Sequence, residues 1–381
     1  MSTTVSPILY VGLDVHKESI TIAVLPSGAE KPTRIDRVAH DFKVVRRYLE
    51  RLGPAASLRA CYEASGAGYV LERAMRTWGM TCDIIAPSLI PQRPGHQRKH
   101  DRYDASQLAR LYRSGDLTPI RIPTEADERV RDLVRCRTTF QREVLRARHY
   151  VTTLLTRRGL RFTGGKCHWT RLHRAWLATL IPTGQVVDED AVILQEYLSL
   201  LTFTEQRRDA LDAQIETLAL RPALAAQVTR LRGFRGIDTQ AAMVLATELV
   251  DWSRFERPTQ LMAFTGLVPR EDSSGDRHRH GSITKAGNSY CRHVLIQAAW
   301  AYRHPPRVGR ALTERQRGLP ADVVMQSWKA QQRLHKLFTR VSARKGAHIA
   351  VVAVARELAG FLWAVLHDHV LDAPSPVEAA A

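Results

Sequence analysis

The stretch ILYVGLDVHKESITIAVL, residues 8–25, decides the fold of the first part of the chain. Two runs of apolar and β-branched residues flank the polar His16-Lys17-Glu18, which is the pattern of a β-hairpin. One acidic residue, Asp14, interrupts the first apolar run, and a carboxylate in such a strand needs a partner. The sequence therefore predicts two paired strands with a functional or compensated acid on the first.

Short apolar runs and helical periodicity alternate after this hairpin. Helices are predicted over 43–52 and 69–78, and short strands over 57–62 and 82–86. Strands and helices that mix in this way indicate an α/β domain, which we place at residues 1–122.

Four acidic residues stand at the ends of these predicted elements. Asp14 lies in the first strand and Glu63 ends a later one, whereas Asp101 and Asp104 are three residues apart and share one face of a basic helix. Phosphodiester chemistry with two metal ions needs several carboxylates converging on ions about 4 Å apart. The four acids are therefore candidates for a magnesium site.

Each acid also has a structural interpretation. Asp14 is a surface residue near a turn in that case, and Glu63 caps the following helix. Asp101 then caps its own helix and Asp104 completes the capping pattern, because acids are favoured at these positions.

Two long polar helices are predicted next, over 126–158 and 188–218, joined by a looser stretch at 164–169. Such a pair indicates an antiparallel, coiled-coil arm suited to dimerisation, with an ordinary helical linker domain as the alternative. We assign the arm to residues 123–230.

Residues 231–381 are predicted to form a mainly helical domain, in which 268–292 is a polar, basic loop. The apolar stretch 348–371 contains Arg356 and Glu357, so it is predicted to be a buried helix rather than a membrane span.

Charge is the main unusual bulk property. The chain has 56 Lys and Arg against 38 Asp and Glu, a formal net charge of +18. This excess favours a polyanionic partner, although free use of arginine on solvated faces is the alternative.

The 5 cysteines form no CxxC pair, which argues against a zinc knuckle or a disulfide framework. With no signal peptide recognised, we expect a cytoplasmic protein without a membrane partner.

Three N-terminal motifs carry a resemblance to a known family. Gly12-Leu13-Asp14-Val15-His16-Lys17, Tyr62-Glu63-Ala64 and the segment 99–105, KHDRYDA, resemble in this order the DEDD transposases of insertion-sequence family 110. The resemblance implies a RuvC-like, RNase H-type domain. It also implies that Asp14, Glu63, Asp101 and Asp104 are catalytic and bind Mg²⁺, as two ions, or Mn²⁺.

The C-terminal part resembles the same family. Gly236-Ile237, FTGLVPR at 264–270, Ser273-Ser274-Gly275 and ITKAGN at 283–288 with Arg292 look like its C-terminal transposase domain, of the 116/110/902 type. The resemblance implies a serine nucleophile at Ser274, with Ser273 as the alternative. From the residues alone, a serine in a turn is usually only a turn residue. The metal cluster is the candidate activator of this serine, which requires the two domains, from one subunit or two, to meet.

Basic residues near both motif sets are predicted to bind nucleic acid. They are Lys99, Arg102, Arg270, Arg277, Arg279, Lys285 and Arg292, together with Asn288. The resemblance implies DNA partners at the element ends and target, a structured RNA encoded by the element, and a dimeric or tetrameric active form. Two other functions stay open: a metal-dependent nuclease that resolves four-way junctions by hydrolysis, and a non-catalytic nucleic-acid-binding protein.

Overall fold

The protein is described by a computed structural model over residues 7–91, 100–274 and 277–367, with the backbone alone described within 271–280. It divides into two compact units, Met1–Thr124 and Glu125–Ala381. The further division at residue 230, which separates an arm from a C-terminal domain, stays a prediction.

A five-stranded mixed sheet forms the centre of the first unit. Its strands are β1 (Leu9–Val15), β2 (Ser19–Pro26), β3 (Arg34–Ala39), β4 (Leu58–Glu63) and β5 (Thr81–Ile85). Their order is β3-β2-β1-β4-β5, with β1 antiparallel to β2 and parallel to β4. The helices of this unit are α1 (Phe42–Glu50), α2 (Val70–Thr77) and α3 (Asp101–Ser114). This arrangement confirms the RNase H-like α/β prediction.

The predicted hairpin, strands and helices of the first unit are present, but β3 was missed by the sequence analysis. Its sequence, Arg-Ile-Asp-Arg-Val-Ala, has no clean alternation of polar and apolar residues. It is one of the two edge strands of the sheet, and its backbone pairs with Ser19 to Val24 of β2. An edge strand with one exposed side tolerates such a polar pattern, so the sequence signal is weak.

The two faces of the sheet are covered by different helices. Leu13 and Tyr62 belong to a buried cluster with residues of α1 and α2, whereas Ala23 and Leu25 pack with Ala105 of α3 on the other face. Side chains of a strand alternate between the faces, so Gly12 and Asp14 lie on the side of α3.

Gly12 marks the point where α3 crosses β1. A Cβ atom at this position would lie 2.1 Å from the carbonyl oxygen of Ala105 and 2.6 Å from the backbone nitrogen of Ala109. Both atoms belong to the backbone of α3, so no side-chain rotation can relieve the clash. Only a glycine therefore allows α3 to approach the sheet this closely.

The second unit is built almost entirely of helices. They are α4 (Glu125–Arg157), α5 (Arg171–Thr179), α6 (Asp188–Ala219), α7 (Pro222–Arg232), α8 (Thr239–Leu249), α9 (Pro258–Phe264), α10 (Ser289–Ala299), α11 (Arg310–Gln316), α12 (Ala321–Lys345) and α13 (Ala347–Leu366). Two strands, β6 (Pro269–Ser274) and β7 (Arg277–Ile283), form an antiparallel hairpin between α9 and α10.

The predicted antiparallel arm is present as α4 and α6. Arg137 pairs with Asp212 at 2.6 Å, Arg148 pairs with Glu205 at 2.6 Å, and Arg158 pairs with Asp190. Residue numbers rise along α4 as they fall along α6, so the helices run in opposite directions. The end near α5 has its own apolar cluster, whereas Val134 and Ile215 belong to the large core of the C-terminal helices.

The prediction of a loop over 268–292 is wrong. This segment contains the β6–β7 hairpin and the start of α10. Because the hairpin sequence is polar and basic on both faces, no apolar alternation marks its strands, and cross-strand backbone bonds define them instead.

Helix α13 is long and apolar enough to cross a membrane, yet 67% of its most apolar window is buried within the fold. The indole Nε1 of Trp363 donates to the carbonyl of Phe255 at 2.6 Å. The predicted buried helix is confirmed for the residues that the structure describes.

Replacing Gly12 with alanine tests the close crossing of α3 and β1. Because the added methyl group meets backbone, we expect Gly12→Ala to lower the free energy of unfolding by at least about 2 kcal/mol. Urea unfolding followed by circular dichroism measures this change. Gly28→Ala is the matched control, since its added Cβ has no atom within 4 Å; equal stability of the two variants would contradict the crossing.

Candidate active site

Three potential metal ligands converge at the end of β1. The Nε2 atom of His16 lies 3.1 Å from Oδ2 of Asp14 and 3.7 Å from Oδ1 of Asp101. One ligand atom from each residue lies within 4.8 Å of the others. The first strand and the start of α3 therefore bring together two of the four predicted acids and one histidine.

Helix α3 places its acids by running back along β1. Its N-cap residue is His100, and no side chain caps this end among the residues that the structure describes. The interpretation of Asp101 as the N-cap is therefore wrong. Asp101 and Asp104 occupy the first turn, where the helix dipole favours negative charge while leaving both carboxylates available to a ligand.

Burial and neighbouring charges both affect the pKa of Asp14. Partial burial raises the pKa of the Asp14 carboxyl above its ordinary value. His16 opposes this shift, and the carboxylates of Asp101 and Asp104 reinforce it. A divalent cation bound between these groups would offset the repulsion between the carboxylates. Carboxylate oxygens together with one imidazole nitrogen are a ligand set that such a cation accepts.

Glu63 is placed by strand register. Leu13 of β1 is beside Tyr62 of the parallel strand β4, so Asp14 and Glu63 follow at equivalent positions on the same face of the sheet. Glu63 is exposed and lies outside the group of three ligands. It does not cap the next helix, because the N-cap residue of α2 is Tyr69.

Of the two basic residues predicted beside the acids, Arg102 is exposed on α3. Lys99 lies outside the described residues. The other predicted basic contacts lie in the second unit, close in sequence to the predicted nucleophile.

Ser274 is the last residue of β6, where its backbone is opposite Arg277. Ser273 is opposite His278, and Arg279 follows on β7. Gly275 lies outside the described residues. The candidate serine is thus placed at the tip of a β-hairpin, with basic residues on the facing strand.

Two glycines hold the base of this hairpin. Gly266 precedes β6 with φ of 66°, and Gly287 follows β7 with φ of 85°. A Cβ at Gly266 would lie 2.1 Å from the oxygen of Ala286, and one at Gly287 would lie 2.0 Å from that of Phe264. The chain segments entering and leaving the hairpin therefore cross in backbone contact.

The other predicted nucleic-acid contacts of this region have distinct environments. Arg270 and Lys285 are exposed, and Lys285 has a positive φ of 55°. Arg292 instead donates from Nη1 to the carbonyl of Thr265 at 2.9 Å. Asn288 caps α10 by accepting from the backbone nitrogen of Cys291 at 2.9 Å. These bonds give Asn288 and Arg292 a role in holding the segment; nucleic-acid contact by any of the four stays a prediction.

A buried carboxylate links the arm to this segment. Arg135 of α4 donates to both carboxylate oxygens of Glu248 on α8, at 2.7 and 2.8 Å. The side chain of Glu248 is only 2% exposed and also accepts from Nδ2 of Asn288 at 2.7 Å. The guanidinium of Arg135 lies 4.9 Å from the ring centre of Tyr290. One ion pair therefore joins α4, α8 and the start of α10.

Comparison with known proteins decides the family. The model of the transposase IS116/IS110/IS902 family matches residues 228–313, and a transposase model of the DEDD IS110 type matches residues 11–158. The transposase y4qE of Sinorhizobium fredii is 39% identical over 94% of this chain and 88% of its own length. The chain belongs to the IS110 family of insertion-sequence transposases.

Further relatives support this assignment. The transposase for insertion sequence element IS1533 of Leptospira borgpetersenii is 30% identical over 88% of the chain and 97% of its own length. The transposase for insertion sequence element IS1111A of Coxiella burnetii is 25% identical over 80% of the chain and 76% of its own length. DNA is therefore the substrate class of this transposase, and its DEDD domain together with the acidic cluster indicates a divalent metal ion.

The sequence analysis missed one residue of the candidate metal site and one buried ion pair of the second unit. His16 appeared only as a residue of the hairpin turn and of the family motif, although its spacing of two from Asp14 could have suggested a shared face. Glu248 and Arg135 gave no local signal, because they are separated by 113 positions and meet only through helix packing.

Glu248→Ala tests the buried ion pair. Removing the carboxylate leaves Arg135 and Asn288 without their shared acceptor, so we expect a loss of about 2–3 kcal/mol in the free energy of unfolding. Chemical denaturation measures it, with Glu143→Ala as the control because Glu143 forms a largely exposed pair with Arg146. A loss no larger than that of the control would show that the network does not stabilise this unit.

Proposed function

We propose that this transposase excises and integrates its insertion sequence by cutting and rejoining DNA with a serine nucleophile and Mg²⁺. The convergence of Asp14, His16 and Asp101 carries the metal part of the proposal. The hairpin position of Ser274 and its resemblance to the family motif support the nucleophile. Residues 1–122, 123–230 and 231–381 then serve as catalytic domain, helical arm and serine-bearing domain.

Asp14, Asp101, Asp104 and Glu63 would hold the ions, with two Mg²⁺ expected and Mn²⁺ as a substitute. Bound there, the metal supplies Lewis-acid stabilisation of the charge that develops on a phosphate. The chain itself holds the carboxylates in place through the contact of α3 with β1. His16 orients the carboxylate of Asp14 by a hydrogen bond and is a candidate further ligand.

In the proposed cleavage step, Oγ of Ser274 attacks a phosphorus of the DNA backbone and its proton passes to solvent. A serine–phosphate bond forms as one bridging P–O bond breaks, and the released DNA oxygen becomes a hydroxyl. A hydroxyl of the other DNA end then attacks the phosphoserine, which restores the serine and joins the strands. Ser273 remains the alternative nucleophile. Arg270, Arg277, Arg279, Lys285 and Arg292 are the proposed phosphate contacts of this step.

The partners proposed for this reaction are the element ends, the target DNA and a structured RNA encoded by the element. The net charge of +18 is compatible with both nucleic acids. A dimer or tetramer, formed through the arm of α4 and α6, is the proposed active state in the cytoplasm.

Metal binding can be tested independently of activity. We expect Asp14→Asn and Asp101→Asn each to abolish Mn²⁺ binding measured by calorimetry, and to lower DNA cleavage by at least about 100-fold. Glu50→Gln is the control, since Glu50 forms an exposed pair with Arg46 in the same unit. Unchanged Mn²⁺ affinity in both aspartate variants would place the metal elsewhere.

The nucleophile can be tested with DNA labelled at either end and separated on denaturing gels. We expect protein attached covalently to DNA, lost in Ser274→Ala and retained in Ser273→Ala. The reverse pattern identifies Ser273. Free DNA ends together with normal activity of both variants would instead support hydrolysis by a metal-dependent junction nuclease.

A further inference from the structure

Helix α12 lies outside both segments that match the family models and carries an unusual exposed face. Its buried side packs on α13 with Val323, Ala330 and Leu334. The opposite side is exposed and contains an aromatic residue followed by cations. We call this face the α12 stripe; it consists of Trp328, Lys329, Gln332, Lys336, Arg340 and Arg344.

The spacing of the stripe makes it continuous. Trp328, Gln332, Lys336, Arg340 and Arg344 recur every four residues, so each side chain is next to the following one. Because an α-helix has 3.6 residues per turn, the row turns by about 40° at each step and crosses the exposed side of α12 obliquely. At 1.5 Å per residue the stripe is about 24 Å long. This length spans several successive phosphates of a nucleic-acid strand.

The positive charge of the stripe is not neutralised by neighbouring residues. No acidic side chain that the structure describes forms an ion pair with Lys329, Lys336, Arg340 or Arg344. On the arm, in contrast, Arg137 and Arg148 are each paired with a carboxylate. Asp322 is the sole acid within the α12 sequence, and it lies in the first turn.

Helix stability explains only part of this pattern. Cations in the last turn of a helix interact favourably with its dipole, which accounts for Arg344 and Lys345. Lys329, Lys336 and Arg340 lie before the last turn, where this effect has faded. Their grouping on the exposed side of α12, without an acidic partner among the described residues, therefore indicates an external polyanion.

Trp328 indicates which polyanion. It is 40% exposed at the head of the stripe, beside Met325, which is 48% exposed. An exposed indole can stack on the face of an unpaired base, whereas a duplex offers this helix only backbone and groove edges. Cations that follow a strand, together with an aromatic platform, are the combination used to bind single strands.

We propose that the α12 stripe binds a single-stranded segment of DNA, with Trp328 stacked on a base and the four cations contacting successive phosphates. The choice of DNA rests on the substrate class of the family. Strand exchange by the proposed function separates DNA strands, and the stripe would hold one of them while the reaction proceeds.

The test uses the full-length protein in a Ser274→Ala background with EDTA, so that binding is measured without cleavage or metal. Fluorescence anisotropy follows a labelled single-stranded DNA, the matching duplex and a single-stranded RNA of the same sequence, over a range of salt concentrations. A failure of the proposed serine chemistry leaves this measurement unaffected.

The combined variant Lys329→Gln, Lys336→Gln, Arg340→Gln and Arg344→Gln removes the charges of the stripe. We expect it to weaken binding of single-stranded DNA and to reduce the slope of log affinity against log salt by about 3, since each phosphate contact contributes about 0.7. Arg46→Gln, Arg146→Gln, Arg207→Gln and Arg317→Gln together form the control, with the same net charge change at other exposed positions.

Trp328→Ala is expected to weaken binding of single-stranded DNA by about 5- to 100-fold and that of duplex only slightly, and Trp328→Phe to restore part of the loss. Phe203→Ala is its control, an exposed aromatic on the arm. Circular dichroism establishes that each variant is folded. Loss of affinity no larger than in the controls, a stronger effect on duplex, or preferred binding of RNA would each overturn the proposal.

Discussion

The contact between α3 and β1 at Gly12 is the constraint on which the acidic site depends. The missing Cβ lets the backbone of Ala105 and Ala109 approach the strand, and this brings the first turns of α3 close to β1. Asp101 then reaches the end of β1, where His16 and Asp14 lie. Without that approach, the acids of α3 and β1 would belong to separate surfaces. The glycine therefore shapes the candidate site through geometry, although it contributes no functional group.

The second unit relies on similar close approaches. Gly266 and Gly287 allow the segments flanking the serine hairpin to cross in backbone contact. Glu248 then ties the segment after the crossing to α4 through Asn288 and Arg135. Because a buried carboxylate is costly without partners, loss of any of these contacts would destabilise this arrangement of three helices. A polar, basic hairpin with few apolar side chains is thus held at its base by helices whose core is well packed.

The distribution of acidic partners separates cations that are paired within the fold from cations that face solvent alone. Those of the arm face carboxylates across the pair of long helices and fix its antiparallel register. The cations of the α12 stripe have no such partners among the described acids. Paired arginines of the arm and cations of the α12 stripe contribute equally to the net charge in the composition. Only the positions of the acidic residues distinguish the two groups. A high net charge therefore says little about which cations are available to a partner until the ion pairs are known.

The sequence by itself determined four of the five strands of the first unit, the two long helices, the buried α13 and the family, because local periodicity and ordered motifs suffice for these. It also indicated the four acids as candidate metal ligands, an assignment that stays a prediction, with capping as the alternative. Helix α3 begins after His100, which excludes Asp101 as its N-cap. The edge strand β3 and the β6–β7 hairpin were not predicted, since their polar sequences do not alternate with apolar residues. Pairing with a neighbouring strand stabilises them instead. Tertiary structure alone decided that His16 joins Asp14 and Asp101 and that Arg135 meets Glu248. Such contacts depend on the packing of distant segments, which no local pattern of residues encodes.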